Sequence, residues 1–112
     1  MTTMQTRTVV VCELARLIPG RGVAALLPDG RQVAIFLTAS GDLYGLSNID
    51  PFARAAVLSR GLVGDVGGAP FVASPLLKQR FDLRTGVCLD DESVAIRTYE
   101  VHVADGVVHV NP

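Results

Sequence analysis

The chain has no tryptophan, only two cysteines and two histidines, and an aromatic content of 5%. Neither Cys-x-x-Cys nor Cys-x-His occurs, which excludes zinc ribbons and thioredoxin-like redox sites. Cys12 and Cys88 stand far apart and are read as reduced, partly buried thiols. Charge of one sign is also missing: 10 basic residues against 11 acidic ones leave −1, so neither nucleic acid nor an anionic membrane is an expected partner. No apolar run approaches the ~20 residues of a membrane span. The segment Met1–Arg7 has no signal-peptide layout, so a cytoplasmic protein is expected.

What the chain does have is apolar residues and turns. Hydrophobic residues make up 49% of 112 positions, enough for one core and one domain spanning residues 1–112. Turn signals recur at Pro19-Gly20, Pro28-Asp29-Gly30, Ser40-Gly41-Asp42, Gly67-Gly68, Thr85-Gly86 and Asp105-Gly106. Between them lie short apolar or alternating segments: Thr8–Val11, Val23–Leu27, Gln32–Leu37, Leu43–Leu46 and Pro70–Ala73. This spacing predicts an all-β sandwich or small barrel. Helical turns are expected only around Glu13–Leu17 and Ala53–Ala56. Gly61, Gly64, Gly67 and Gly68 read as turn residues, because no strand–Gly-rich turn–helix layout surrounds them.

The C-terminal segment specifies its own pairing. Asp105-Gly106 is a two-residue type I′ hairpin signal, which places Ala104 opposite Val107, Val103 opposite Val108, His102 opposite His109 and Val101 opposite Val110. Alternation then puts the four valines on one face and the two imidazoles side by side on the other. Two histidines without a further ligand read as a solvated or interface-facing pair.

Two motifs carry a family resemblance. Ser74-Pro75-Leu76-Leu77, followed by Phe81-Asp82-Leu83-Arg84-Thr85-Gly86, resembles the second cluster-binding loop of Rieske iron–sulfur domains, Cys-Pro-Leu-His and Phe-Asp-Leu-x-x-Gly. Asp50-Pro51-Phe52, followed by Leu58-Ser59-Arg60-Gly61, resembles the first loop, Cys-Pro-His and its turn. The ligand-equivalent positions are therefore Asp50, Phe52, Ser74 and Leu77. No cysteine or histidine occurs anywhere between Tyr44 and Val87, so no shift of either loop restores a ligand. A Rieske centre needs two thiolates on one iron and two imidazoles on the other, and these residues cannot hold a 2Fe-2S cluster. Phe52 and Leu77 are expected to fill the vacated region with apolar side chains, giving a dry, packed loop pair.

Together the motifs resemble the small subunit of bacterial NAD(P)H-dependent assimilatory nitrite reductase. That resemblance implies a Rieske-type antiparallel β-sandwich with a cluster-loop subdomain, its vestigial loops at about 47–61 and 73–86. It implies an accessory role in reducing nitrite to ammonia, with no cofactor and no catalytic residue in this chain. FAD, an iron–sulfur cluster and sirohaem would sit on the large subunit, which would be the partner. Asp50 is expected either to bond backbone amides of its loop or to face the partner, and Ser74 to cap a turn. A nucleophilic role for Ser74 would need a nearby histidine, which the distant hairpin does not supply. Phe52 and Phe81 read as core plugs. Arg54, Arg60, Lys78, Gln79 and Arg80 gather around the loops and are the expected partner contacts. An oxygenase-type Rieske ferredoxin and a non-redox interaction module remain the alternatives.

Overall fold

The computed structural model describes residues 8–112, and its strands follow the Gly and Pro punctuation. β1 (Val9–Glu13) is followed by a single 3₁₀ turn (Leu14–Arg16), then β2 (Gly22–Leu26), β3 (Gln32–Leu37) and β4 (Leu43–Ser47). Two very short strands, β5 (Ile49–Asp50) and β6 (Ala55–Ala56), precede a second 3₁₀ turn (Leu58–Arg60). β7 (Leu62–Val66), β8 (Ala69–Ala73) and β9 (Arg80–Asp82) come next, then β10 (Thr98–Tyr99), β11 (Val101–Ala104) and β12 (Val107–Val110). They pair as β1-β12-β11, β10-β4-β3-β2, β5-β6 and β7-β8-β9, and every pair is antiparallel. The first two sheets make the sandwich body; β5–β9 and their loops make the appended subdomain.

The apolar run Val33–Phe36 explains how two cores coexist. Side chains alternate along a strand, and β3 is covered on both faces, so all four residues are buried. Val33 and Ile35 join Ala25, Leu27, Tyr99, Val108 and Val110 in the body core. Ala34 and Phe36 join Leu46, Leu58, Val72, Phe81, Leu83 and Cys88 in a second core beneath the loop subdomain. Each large side chain buried there contributes roughly 1.5–3 kcal/mol. Cys12 packs against the first core and Cys88 sits inside the second; both are free thiols.

The C-terminal hairpin has the register its turn dictates, with Val101↔Val110, His102↔His109, Val103↔Val108 and Ala104↔Val107. Asp105 and Gly106 both have positive φ, 52° and 76°, as a type I′ turn requires. The imidazoles of His102 and His109 stack with centroids 5.2 Å apart. The valine face is less uniform than alternation implies. Val108 and Val110 are fully buried on the central strand, whereas Val103 is 41% exposed because β11 lies at the sheet edge.

Two local expectations need correction. Ala53–Ala56 forms no helical turn: Arg54 takes φ 55°, and Ala55–Ala56 pairs with Ile49–Asp50 instead. The helical turn lies further on, at Leu58–Arg60. Gly64, expected as a turn residue, instead lies in the middle of β7, where it pairs with Phe71; with Asp65 it dilutes a strand that β8 nevertheless pairs along its whole length.

Candidate functional site

Asp50 organises the first loop from its base. It is fully buried, and its Oδ1 accepts the amide N–H groups of Phe52 (2.8 Å) and Ala53 (3.2 Å). Its backbone carbonyl accepts the Arg54 N–H at 2.7 Å. This is the Asx-turn behaviour that favours Asp before Pro. Asn48, buried beside it, performs a task that the sequence pattern does not reveal. Its Nδ2 donates to Gln32 Oε1 (3.0 Å) and its Oδ1 accepts the Ser59 N–H (2.7 Å), tying both ends of the loop to the edge of β3. An Asn in a buried stretch is the one available signal, because a buried amide must find partners.

The second loop is closed by Ser74. Its N–H donates to the Gln79 carbonyl (2.9 Å), and its own carbonyl accepts the Lys78 N–H (3.1 Å). Lys78 turns the chain with φ 70°, so Pro75–Lys78 forms an outward excursion. The Ser74 hydroxyl donates a short hydrogen bond to Asp50 Oδ2. The two former ligand positions, 24 residues apart, therefore bond to each other and staple the loops together.

The expected filling of the space is half right. Phe52, half-buried, packs on Phe81 with ring centroids 6.2 Å apart and against the second core. Leu77 does not enter; it is 51% exposed and its neighbour Leu76 is 52% exposed. The backbone bonds at Ser74 aim the excursion into solvent, and Phe52 on Phe81 supplies the packing beneath it.

The basic residues separate into two kinds. Arg80 is committed: its Nη2 lies 2.9 Å from Asp90 Oδ1 and its guanidinium stands 5.7 Å from the centre of the Phe71 ring. That hydrogen bond holds the Asp90 carboxyl below its usual value. Gln79 is half-buried, with an Oε1 that has no protein partner. Arg54, Arg60 and Lys78 are exposed and make no salt bridge among the described residues.

The chemistry here does not suit an iron–sulfur cluster. Asp50 and Ser74 are buried and saturate each other, while Phe52 and Leu77 have no donor atom. The two thiols lie in different cores and the two imidazoles on the terminal hairpin. Among the described residues no three His, Cys, Asp or Glu side chains cluster so as to hold a metal. A depression of about 470 Å³ lies between the Thr38–Asp42 turn and the Asp65–Gly68 segment, and none of the four ligand-equivalent residues lines it.

Comparison with known proteins agrees with this geometry. The family model for the Rieske-like [2Fe-2S] domain matches residues 8–111. The nitrite reductase (NADH) small subunit of Salmonella typhimurium is 48% identical over 101 residues, covering 89% of this chain and 93% of that protein. The solution structure of the Escherichia coli protein NirD superposes with a TM-score of 0.85 at 45% identity, covering 95% of this chain and 96% of that one. A third relative, the nitrite reductase [NAD(P)H] large subunit of Klebsiella oxytoca, is 45% identical over 101 residues, which cover 89% of this chain but only 10% of that polypeptide. Sandwich, stapled loops and these similarities converge: the chain belongs to the nitrite reductase small subunits of the Rieske-like domain family.

Proposed function

We propose that this chain is the small, cofactor-free accessory subunit of an NAD(P)H-dependent nitrite reductase in nitrite assimilation. The six-electron reduction of nitrite to ammonia takes place on the large subunit, where FAD, an iron–sulfur cluster and sirohaem carry the electrons. The observation that carries this reading is the Asp50–Ser74 bond. A chain 48% identical to a nitrite reductase small subunit replaces both thiolate positions with a mutually satisfied, buried polar pair. Such a site binds no iron and serves as a fixed scaffold. The Klebsiella polypeptide, which contains a domain of this kind within a large subunit, supports a stable association between the two parts. Arg54, Arg60, Lys78, Gln79 and Arg80 border the loops and contact the large subunit. The complex is proposed to work in the cytoplasm; no helix of the described residues is long and apolar enough to cross a membrane.

The test is co-expression with the large subunit. NADH- or NADPH-driven nitrite reduction is expected to depend on this chain, while the purified chain, incubated with iron and sulfide, shows no Rieske EPR signal. A stoichiometric Rieske signal from the purified chain would refute the cofactor-free reading; unchanged activity without the chain would refute the accessory role.

A further inference from the structure

Residues 51–81 contain four basic residues, Arg54, Arg60, Lys78 and Arg80, against a single acid, Asp65, in a chain whose net charge is −1. Asp65 lies near the end of β7, opposite Pro70, and its Oδ1 accepts the Gly68 N–H of the following turn at 2.8 Å. The loop end is thus the positive end of a slightly acidic protein. Arg80 is already neutralised by Asp90, which leaves Arg54, Arg60 and Lys78 as its free cations among the described residues.

Apolar surface gathers at the same end. Leu62 is 75% exposed and pairs with Ala73, immediately before the Ser74–Gln79 loop that presents Leu76 and Leu77. Single exposed leucines are ordinary on a protein surface. Three of them at one end of one sheet, with Arg60 and Lys78 adjoining in sequence, are the pattern of an apolar anchor inside a polar rim. The leucine-bearing loop is also pre-ordered: two backbone hydrogen bonds close it and the Asp50–Ser74 bond holds it from beneath. Little conformational freedom remains to be lost on binding.

Building on the accessory-subunit reading, we infer that Leu62, Leu76 and Leu77 insert into an apolar socket of the large subunit. Carboxylates around that socket meet Arg54, Arg60 and Lys78. Charge complementarity selects this occupant: three exposed cations, Arg54, Arg60 and Lys78, that make no salt bridge among the described residues call for carboxylates on the partner's surface. The leucines set the lifetime of the complex, and the cations set its rate of formation and salt dependence. Within the proposed contact set Arg54, Arg60 and Lys78 supply the free charge, while Arg80, paired with Asp90, and Gln79, whose carbonyl accepts the Ser74 N–H, also brace the loop.

The experiment measures association of the full chain with the purified large subunit over a series of salt concentrations. Leu76→Ser/Leu77→Ser is expected to weaken binding at least tenfold, mainly through faster dissociation, with an unchanged urea midpoint. Arg60→Glu/Lys78→Glu is expected to slow association at least tenfold at low salt and to approach wild type at high salt. Val10→Ser and Leu26→Ser, exposed apolar positions on other strands, should stay within twofold. Equal affinity of wild type and both double variants overturns the surface while leaving the accessory role standing. No binding by the wild-type chain removes the accessory reading and this surface with it. Concentration-dependent dimerisation abolished by the leucine variant assigns the face to a second copy and overturns the proposed occupant.

Discussion

Replacing Asp50 is the most direct way to ask what took over from a metal cluster in holding the two loops together. Its carboxyl group accepts three hydrogen bonds, from Ser74 Oγ and from the Phe52 and Ala53 amides, in a site with no solvent exposure. Asp50→Ala orphans all three donors. A buried unsatisfied donor costs about 1–3 kcal/mol. Phe52 and Ala53 are only half-buried, so water recovers part of that loss. The net destabilisation should therefore be about 3–4 kcal/mol, a large part of the roughly 5–15 kcal/mol that stabilises a domain. Asp50→Asn keeps Oδ1 for the two amides and offers Nδ2 to Ser74 Oγ as acceptor, so its cost should be near 1 kcal/mol. Ser74→Ala leaves Asp50 Oδ2 without this partner and should fall between the two. Urea denaturation gives all three values from midpoints at constant slope. The double variant Asp50→Ala/Ser74→Ala should cost less than the sum of its parts by about 0.5–3 kcal/mol. An Asp50→Ala midpoint equal to wild type, or strict additivity in the cycle, would refute the staple.

Other perturbations test other parts of the structure. At Gly86, φ is +79° and an added Cβ would collide with the Ile96 carbonyl, whereas Gly30 has φ +91° and open space around it. Gly86→Ala should therefore cost about 3 kcal/mol or more, and Gly30→Ala about 1 kcal/mol, by the same denaturation measurement. Among the described residues three carboxyls, Asp29, Asp82 and Asp90, sit below their usual value, Asp29 chiefly through the Arg31 backbone N–H. Burial raises Asp82, but hydrogen bonds from Arg84 more than offset it, and the Arg80 side chain lowers Asp90. Because the folded values are depressed, the stability these groups add is complete above pH ~4 and is lost as pH falls through the folded values. Asp90→Asn should therefore weaken the protein at pH 7, by less than about 1 kcal/mol for so exposed a pair. It should match wild type near pH 2, and a gap that persists there would contradict the ion-pair origin. Phe52→Ala should lower the urea midpoint by about 1–2 kcal/mol, below the 3–5 of a fully buried aromatic, because Phe52 is only half-covered.

The parts of this protein legible in its residues are those decided by near neighbours or by elemental chemistry. Asp105-Gly106 demands positive φ at both positions, and a two-residue loop then leaves one register for the hairpin that follows. The absence of Cys and His from Tyr44 to Val87 excludes a Rieske cluster in these loops however they fold, because no other side chains present supply thiolate and imidazole ligands. Other features depended on which distant segments meet. The Ala53–Ala56 stretch favours a helical turn locally, but pairing with Ile49–Asp50 and the Asp50 side chain override it. Leu77 is apolar and occupies a histidine place, yet backbone bonds between Ser74 and the Lys78–Gln79 pair turn it outward. In the sequence Asp50 suggests a turn residue or a charge facing the partner, and Ser74 only a turn cap. That they bond to each other follows from two loops folding over one core, a long-range closure that no local pattern encodes.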